Sequence, residues 1–187
     1  MYKSYFTNRC VDISMYDNYK VPNWLKKEIG NNKNIPILDI GCGLGQTVFG
    51  LEKEGYTNVS GVDLSEEAVK FCKEKGLNVF LKDIREYYGK KYDFVIMSHV
   101  LEHIEKSEII PLLKKIYSDI LNDNGRLCVM VPNAQSNTDC YWAYEDFTHQ
   151  CLFTSGSLLF VLREAGYNDI YFADIEGLSG SKGIRNL

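Results

Sequence analysis

Short apolar runs alternate with amphipathic stretches along most of this 187-residue chain. The runs have the length of buried strands, and the stretches between them repeat apolar residues at helical spacing. Strand and helix alternate through four units, which predicts an α/β, Rossmann-like three-layer sandwich: a mostly parallel sheet with helices on both faces. The predicted strands are residues 35–40, 59–63, 78–83, 92–97, 126–131 and 167–175.

The amphipathic stretches predict helices over residues 22–29, 47–54, 66–75, 109–121 and 156–165. The first helix belongs to an N-terminal segment, residues 1–34, for which two interpretations stay open: a lid over a ligand, or a helix packed on the sheet. Residues 35–187 are predicted to form one domain, because a chain of this length holds one ordinary domain rather than two.

Three alternate glycines, Gly41, Gly43 and Gly45, follow the first predicted strand and precede a helix. Glycine suits such a turn because the backbone passes through positive φ, and because a Cβ would keep a ligand from the amides at the helix start. The pattern predicts a nucleotide-binding turn. A nicotinamide-dinucleotide turn reads G-x-G-x-x-G/A, and Gln46 in its last place argues against a pyrophosphate site.

Two further predicted strands end in aspartate. Asp63 either accepts hydrogen bonds from both hydroxyls of a ribose or starts the next helix, where Ser65 is the expected N-cap. Asp83 either contacts the same ligand or begins a turn. In an open parallel sheet the ligand binds beyond the carboxyl ends of the strands, which is where both carboxylates are expected.

Composition excludes several classes of protein. Apolar residues make up 45% and charged residues 25% of the chain, as in ordinary globular proteins. The 21 basic residues form no stripe, so no nucleic-acid partner is expected. The N-terminus lacks a secretory apolar core and no run is long enough for a membrane span, which predicts a cytoplasmic protein. The six cysteines are scattered, so neither a disulfide framework nor a zinc ribbon is expected.

Together these pieces resemble a known family. The turn D-x-G-x-G-x-G starting at Asp39, the two strand-end aspartates, YDFVIMSHVLEHI and NGRLCVMVPN follow the order and spacing of class I S-adenosylmethionine (SAM) methyltransferases over residues 35–133. The last two pieces, and the ending LFTSGSLLFVLREAGY, resemble the subgroup of ubiquinone-pathway and sugar O-methyltransferases. Such folds have a seventh strand, for which residues 176–187 show no pattern, so either the chain is truncated or its sheet ends early.

The resemblance implies SAM as cofactor and S-adenosylhomocysteine (SAH) as product. It places the methionine part of SAM on the glycine turn, the ribose at Asp63, and the adenine between Leu64, the carboxylate of Asp83 and the amide of Ile84. The implied cofactor-binding residues are Asp39, Gly41, Cys42, Gly43, Gly45, Gln46, Asp63, Leu64, Asp83, Ile84 and Ser98.

Methyl transfer to an alcohol benefits from a base, because a protonated hydroxyl is a poor nucleophile. His149 is the leading candidate, since Glu145 or Asp146 could orient its ring; alternatively it holds its loop against the sheet. His99 is the second candidate. The predicted catalytic residues are therefore His149, His99 and Asp146, and the predicted substrate-binding residues are His103, Asn133, Trp142, Tyr144 and Glu145.

Residues 99–103 also spell H-x-x-E-H, a metalloprotease pattern in which two helix-borne histidines hold zinc. Their place after a buried strand of a cofactor-binding sheet argues against that interpretation. Some ubiquinone-pathway relatives hold a divalent ion here with acids and a histidine. Because His99 stands where an acid would be, no metal is expected in this chain.

These patterns predict a SAM-dependent methyltransferase that O-methylates a small hydroxylated acceptor, such as a nucleotide-linked or surface-polysaccharide sugar, in polysaccharide biosynthesis. Two alternatives stay open. One is an NAD(P)-dependent Rossmann oxidoreductase or epimerase, against which the absence of a Tyr-x-x-x-Lys pair beyond the fourth strand argues. The other is a non-catalytic relative that binds SAM. Neither the accepting atom nor the oligomeric state follows from the sequence.

Overall fold

A computed structural model describes residues 5–11, 16, 18–136 and 141–173, without the side chain of Trp142. The strands are β1 (Ile37–Ile40), β2 (Val59–Asp63), β3 (Val79–Leu81), β4 (Tyr92–Ser98) and β5 (Leu121–Met130). They form one parallel sheet in the order β3-β2-β1-β4-β5. The chain therefore leaves β1 between the ends of β2 and β4, where the strand order reverses and open α/β sheets bind ligands.

The described residues also form seven α-helices and three 3-10 or π-helical turns. The helices are α1 (Tyr5–Asn8), α2 (Asn23–Ile29), α3 (Gln46–Lys53), α4 (Glu66–Glu74), α5 (Lys106–Lys115), α6 (Trp142–Glu145) and α7 (Ser155–Glu164). The turns are 3-10 at Ile84–Glu86 and Leu101–His103, and π-helical at Ile116–Ile120.

The sheet is covered on both faces, as predicted. Successive strand residues point to opposite faces, so each strand contributes to two cores. Leu38 and Met97 pack with α5 and α7 on one face, whereas Ile37 and Ile96 pack with α2, α3 and α4 on the other. The predicted parallel sheet between two helical layers is confirmed.

Hydroxyl side chains cap the starts of two helices, and the cap at Ser65 was predicted. The hydroxyl of Ser65 caps α4 by accepting a hydrogen bond from the amide of Ala68 at 3.2 Å. Thr154 caps α7, where Thr154 and Ser157 form a reciprocal capping box. Such caps satisfy amides that have no partner inside the helix, which is why Ser and Thr mark these positions in a sequence.

The predicted sixth strand is wrong for residues 167–173, which form no strand; residues 174 and 175 lie outside the described part. Asp169 has a φ of 53°, which is incompatible with extended backbone. Tyr167 instead packs its ring on Tyr117 and donates its hydroxyl to the carbonyl of Leu113 at 3.1 Å. The segment where a seventh strand was sought, residues 176–187, also lies outside the described residues.

Boundaries near the fifth strand also differ from the prediction. The predicted helix over 109–121 begins earlier, at Lys106, and its last turn is π-helical rather than α-helical. Strand β5 begins at Leu121, opposite Tyr92, and Arg126 then stands opposite Phe94. The intervening residues, which include Asn124 and Gly125, bulge out of the ladder, so the strand begins five residues before its predicted start at residue 126.

Two expectations about the whole chain concern cysteines and membrane spans. Every cysteine in the described part is a free thiol, namely Cys10, Cys42, Cys72, Cys128 and Cys151. Among the described residues, no helix combines the length and the apolar character that crossing a bilayer requires.

Candidate functional site

The glycine turn has the backbone that its sequence predicts. Gly41, Gly43 and Gly45 have φ values of 67°, 53° and 76°. The amides of Gly41 and Cys42 donate to the carbonyl of Val62 at 2.8 and 3.1 Å, which ties the turn to the end of β2. Gly45 is then the N-cap of α3, which begins at Gln46. The turn therefore holds a left-handed path that other residues adopt only under strain.

Neighbouring segments pack closely on this turn. A Cβ on Gly41 would collide with the side chain of Val100, which follows β4. A Cβ on Gly43 would lie 3.1 Å from the ring of Phe6, in α1. The segment after β4 and the N-terminal helix thus both meet at the turn, and glycine is what allows them to approach it.

Asp63 lies at the end of β2 and contacts the turn directly. Its carboxylate accepts hydrogen bonds from the amide of Gly43 and from the amide of Ser65, both at 2.8 Å. Burial raises the pKa of Asp63, and hydrogen bonds from the amides of Ser65, Gly43 and Leu64 oppose that rise. The carboxylate therefore fixes the turn and the start of α4 together, and its role toward a ribose stays a prediction.

Asp39 is the most deeply buried acid of the turn, with 3% of its surface exposed. Burial and the nearby charge of Asp63 raise the pKa of Asp39 to about 8. A positively charged group beside Asp39 would offset both effects, because it favours the ionised carboxylate. The site is thus suited to a ligand that carries positive charge close to the first glycine.

Asp83 follows β3 and is engaged by its own neighbour. It caps the 3-10 turn Ile84–Glu86 and forms a bidentate ion pair with Arg85, in which the shortest contact is 2.6 Å. The guanidinium hydrogen bonds lower the pKa of Asp83. The alternative that Asp83 begins a turn is therefore confirmed, while its contact to an adenine amino group stays a prediction. Leu64 is 47% exposed beside it, and Ile84 is buried.

The segment after β4 does not form the helix that H-x-x-E-H requires. Ser98 ends the strand, His99 has a φ of 55°, and only a single 3-10 turn, Leu101–His103, follows. His99 lies 3.2 Å from Glu102 through Nδ1, and most of its side chain is exposed. The metalloprotease interpretation, against which the sequence context already argued, therefore lacks the helix that it needs, because the left-handed His99 precedes only a 3-10 turn.

Two of the three histidines lie side by side. The rings of His103 and His149 have centroids 4.7 Å apart, at an angle of 59°. Glu102 is fully buried beside them, and its Oε2 has no hydrogen-bond partner within the described part of the chain. Ligand atoms of these three residues lie within 4.8 Å of one another. A carboxylate and two imidazoles at that spacing could together hold a divalent cation.

Asp146 connects this histidine pair to the N-terminus. Its Oδ1 accepts hydrogen bonds from the amide and the hydroxyl of Thr148 at 2.9 and 2.6 Å, and Thr148 Oγ1 lies 2.8 Å from His103 Nδ1. Its Oδ2 is bound by Tyr5 and by Arg9. Tyr5 and Phe6 both belong to α1, and their ring centroids lie 5.2 Å apart in edge contact. Because Tyr5 binds Asp146 and Phe6 packs on Gly43, α1 reaches both Asp146 and the glycine turn.

The other predicted acceptor residues lie on the loop surface or its flanks. Asn133 is exposed and accepts a hydrogen bond from the amide of Gln135 at 3.0 Å. Tyr144 is 85% exposed, and Glu145 is bound by the hydroxyl of Tyr141. The side chain of Trp142 lies outside the described residues.

Sequence analysis missed four residues of this region: Tyr5, Arg9, Glu102 and Thr148. The spacing of Thr148 two residues after Asp146 is typical of a side chain that bonds its own loop, and it was a usable signal. Glu102 gave no such signal, because it lies between Leu101 and a second polar residue, His103. Tyr5 and Arg9 gave no local signal, because their partner lies far along the chain.

Comparison with known proteins agrees with this geometry. A family model described as a methyltransferase domain matches residues 16–171. The crystal structure of a SAM dependent methyltransferase from Archaeoglobus fulgidus superposes with a TM-score of 0.68 and 31% identity, over 83% of this chain and 72% of that one. Magnesium protoporphyrin IX methyltransferase from Synechocystis PCC 6803 superposes with a TM-score of 0.64 and 22% identity, over 83% and 73% of the two chains, which shows the shared fold.

Among curated proteins, the ubiquinone biosynthesis O-methyltransferase of Rickettsia bellii is 31% identical over 101 residues, which is 49% of this chain and 42% of that protein. The chain spans less than half the length of the curated relatives that it matches. The family match covers most of the chain, including the glycine turn, Asp63 and the histidine pair. The chain therefore belongs to the class I SAM-dependent methyltransferase family.

Proposed function

We propose that this protein transfers the methyl group of SAM to a hydroxyl of a small acceptor, such as a nucleotide-linked or surface-polysaccharide sugar, in the cytoplasm. The observation that carries the proposal is the bond between the carboxylate of Asp63 and the amide of Gly43, at 2.8 Å. It joins the glycine turn to the end of β2 at the point where the strand order reverses. Open α/β sheets bind their ligands at such a point.

The residues of the turn fit SAM. When bound, SAM supplies an electrophilic methyl group on a positively charged sulfur. Asp39 offers a buried carboxylate whose pKa of about 8 would fall beside a positive charge. Asp63 retains acceptor capacity for hydroxyl groups beyond its two backbone bonds. Leu64, 47% exposed at the end of β2, offers an apolar surface to a flat ring.

The loop around α6 is the basis for the proposed acceptor. Tyr141, Tyr144 and Phe147 are 52%, 85% and 99% exposed, so the fold gains little from their aromatic rings. Exposed aromatic rings of this kind stack on sugars and on other rings. The loop also carries His149, which lies beside His103. An acceptor held by these rings would bring its hydroxyl close to an imidazole.

The chain's part in the reaction is positioning and proton removal. Holding the acceptor oxygen in line with the methyl group supplies much of the rate enhancement in a direct displacement. A histidine of the 103/149 pair then takes the hydroxyl proton, since imidazole accepts protons in the physiological range. Helix α1, which lies on the glycine turn through Phe6, would keep water from the reacting atoms.

Isothermal calorimetry with SAM, SAH and NADH tests the donor. We expect SAM and SAH to bind with micromolar or tighter dissociation constants and NADH to give no heat. Asp63→Asn should weaken SAH binding, whereas Asp119→Asn, a matched change at an exposed acid, should not. Binding of NADH without SAM or SAH would instead support the oxidoreductase alternative.

Transfer of a labelled methyl group tests the acceptor. Purified protein and tritiated SAM would be incubated with three sets of candidates: nucleotide sugars, catechols of the ubiquinone type, and primary amines. Label in the nucleotide sugars supports the proposal. Label only in catechols would make the acceptor a phenol, and SAM binding with no labelled product in any set would favour a non-catalytic relative.

A further inference from the structure

The segment after β4 buries a carboxylate that is only half satisfied. Glu102 is fully buried. Its Oε1 lies 3.2 Å from Nδ1 of His99, whereas its Oε2 has no hydrogen-bond partner among the residues that the structure describes. Burying a carboxylate oxygen without a partner costs free energy, and a bound cation would offset that cost, which is why buried charges in proteins are paired or coordinate metals.

Two imidazole rings lie beside this carboxylate. The ring centroids of His103 and His149 are 4.7 Å apart, and one ligand atom from each of these histidines and from Glu102 lies within 4.8 Å of the other two. At metal–ligand distances of about 2.1 Å, the ligand atoms of one ion are about 3 to 3.5 Å from each other. Side-chain rotations that close the gaps by about 1.5 Å would therefore bring all three onto one cation.

The ring of His103 is already oriented for such a ligand. Thr148 Oγ1 lies 2.6 Å from Asp146 Oδ1 and 2.8 Å from His103 Nδ1. Asp146 is ion-paired with Arg9 and acts as an acceptor, so the single hydroxyl proton of Thr148 goes to Asp146. Thr148 then accepts a hydrogen bond from Nδ1 of His103, which leaves the electron pair on Nε2. Metal-binding histidines ordinarily donate their other ring N–H in this way.

Main-chain hydrogen bonds hold the two ligand-bearing segments together. The amide of Gln150 donates to the carbonyl of Glu102 at 2.7 Å, which fastens the loop that carries His149 to the segment after β4. That segment in turn packs on the glycine turn, through the contact of Val100 with Gly41. The three side chains thus lie between the proposed cofactor turn and the proposed acceptor loop.

We propose that Glu102, His103 and His149 bind one divalent transition-metal cation of the zinc or iron(II) class. Imidazole ligands suit these ions, whereas magnesium and calcium prefer oxygen ligands throughout. Three protein ligands leave a coordination position open, at which a hydroxyl oxygen of the acceptor can bind. His99, through Oε1 of Glu102, and Thr148, through Nδ1 of His103, are positioning residues for two of the ligands.

This ligand set differs from the one considered in the sequence. No metal was expected there, because His99 stands where an acid would be. In the structure His99 contacts the carboxylate of Glu102 instead of replacing it, and the third ligand is His149, from a loop far along the chain. Residue type within the segment after β4 could not indicate that contribution.

The use of the ion, unlike its binding, rests on the proposed function. An ion on both rings would take the place of a free imidazole in proton removal, because a bound divalent cation lowers the pKa of a coordinated hydroxyl. The acceptor's O–H bond breaks and its proton passes to solvent water. The acceptor oxygen bonds to the methyl carbon as the carbon–sulfur bond breaks, and the electrons of that bond stay on sulfur. Binding of the ion requires neither SAM nor the acceptor.

Cobalt(II) is the probe for this site, because it is close to zinc in its ligand preference and is both coloured and paramagnetic. The full chain, stripped with EDTA and labelled with 15N, would be titrated with cobalt(II) chloride and followed by visible absorbance and proton–nitrogen spectra. We expect one ion per chain, and the strongest paramagnetic effects at the amides of residues 102–103 and 148–150. About a hundredfold excess of Mg²⁺ should not displace the cobalt.

Variants of the ligands and of a positioning residue sharpen the test. Glu102→Gln and His149→Gln should each weaken cobalt binding by about 100-fold or more, because each removes a ligand. Thr148→Val should weaken it by about 10- to 100-fold, and Thr148→Ser should retain it. Glu108→Gln and Thr57→Val are the matched controls at an exposed acid and an exposed threonine, and both should bind cobalt as the wild type does.

Paramagnetic effects centred elsewhere on the chain would overturn the inference, as would wild-type affinity in both Glu102→Gln and His149→Gln. The wild-type spectrum decides the matter even where a variant does not fold. Calorimetry of the stripped protein with SAH separates this inference from the proposed function. Failure of SAH to bind would defeat the proposed function and leave the ion site standing, whereas failure of cobalt to bind would defeat the ion site alone.

Discussion

The two halves of the candidate site lie at the same end of one sheet but are built in different ways. The glycine-turn half is assembled from successive strand ends, and Gly43 meets Asp63 only 20 residues further along. The histidine half depends on remote contacts: Asp146 is bound by Tyr5 and Arg9, which precede it by 141 and 137 residues. A short sequence motif therefore predicts the glycine-turn half. The histidine half depends on contacts that form only when the chain folds.

This difference predicts how each half responds to change. The glycine turn is locked by backbone geometry and close packing, so a single added carbon should disturb both stability and binding. The histidine half is held by side-chain hydrogen bonds on a partly exposed loop, so its loss should affect proton transfer more than the fold.

The largest effect is expected from Gly41→Ala. The added Cβ would collide with Val100, and alanine at a φ of 67° is strained in any surroundings. We expect a loss of about 3 kcal/mol or more in the free energy of unfolding, with SAH binding abolished. Gly76→Ala is the matched control, since its φ is 79° and no atom lies within 4 Å of the new Cβ. It should cost about 1 kcal/mol from strain alone and leave binding intact.

Equal losses of stability in the two glycine variants would contradict this. They would show that backbone strain, and not the collision with Val100, accounts for the loss of stability in Gly41→Ala. Thermal and urea unfolding measure the stability, and calorimetry with SAH measures the binding.

A smaller effect is expected from Asp63→Asn. The amide can keep one of the two backbone hydrogen bonds but carries no charge, so the turn stays folded while its bonds to ligand hydroxyls weaken. We expect SAH affinity to fall about 10- to 100-fold, corresponding to about 1.5–3 kcal/mol for hydrogen bonds to a charged group. Calorimetry on the folded variant checks this, and an unchanged dissociation constant would remove Asp63 from the cofactor site.

A third effect is expected in how the free energy of unfolding changes with pH, because of Asp39. Its pKa is raised from 3.8 to about 8 in the folded protein, so the folded state binds the proton more tightly than the unfolded state. Its contribution to stability is therefore full below pH 4 and is lost as the pH rises toward 8. Relative to Asp39→Asn, the wild type should lose about 1 kcal/mol per pH unit between pH 5 and 8.

Parallel unfolding curves of wild type and Asp39→Asn at five pH values between 5 and 9 would check this. A constant difference between the two proteins across the range would mean that Asp39 is ionised throughout, and would contradict the inferred burial effect.

The smallest effect is expected from Arg9→Gln, in the histidine half. The Arg9 side chain is 39% exposed, so its ion pair with Asp146 contributes at most about 1 kcal/mol to stability. Because the pair also holds α1 over the turn, hydrogen exchange of residues 5–11 should become faster. Lys26→Gln breaks a comparable exposed pair with Glu54 and serves as the control. Equal exchange of residues 5–11 in the two variants would show that Arg9 does not fasten α1.

The same contrast explains what the sequence could predict. The strands, the glycine turn, Asp63 and the caps at Ser65 and Thr154 follow from local patterns, because period, glycine spacing and capping residues act over a few positions. The sixth strand was wrong because one left-handed residue, Asp169, breaks an otherwise strand-like apolar pattern. Likewise His99 ends the helix that H-x-x-E-H suggests.

The histidine half could be predicted only in part. His149, His99 and Asp146 were predicted from residue type, since histidines with acids nearby indicate acid–base chemistry, and their catalytic roles stay predictions. The contact between Thr148 and His103, and the bonds from Tyr5 and Arg9 to Asp146, depend on how distant segments come together. No pattern within a few residues encodes such contacts, so they could not be predicted from the sequence.

The central claim is that the glycine turn and the ends of β2 and β3 bind SAM. A titration of 15N-labelled protein with SAH, followed by proton–nitrogen correlation spectra, tests it most directly. We expect the largest chemical-shift changes at the amides of Gly41, Gly43, Leu64 and Ile84, and smaller changes at the amide of His103. Saturating SAH that leaves the glycine amides unmoved, or that shifts only amides at the opposite end of the sheet, would contradict it.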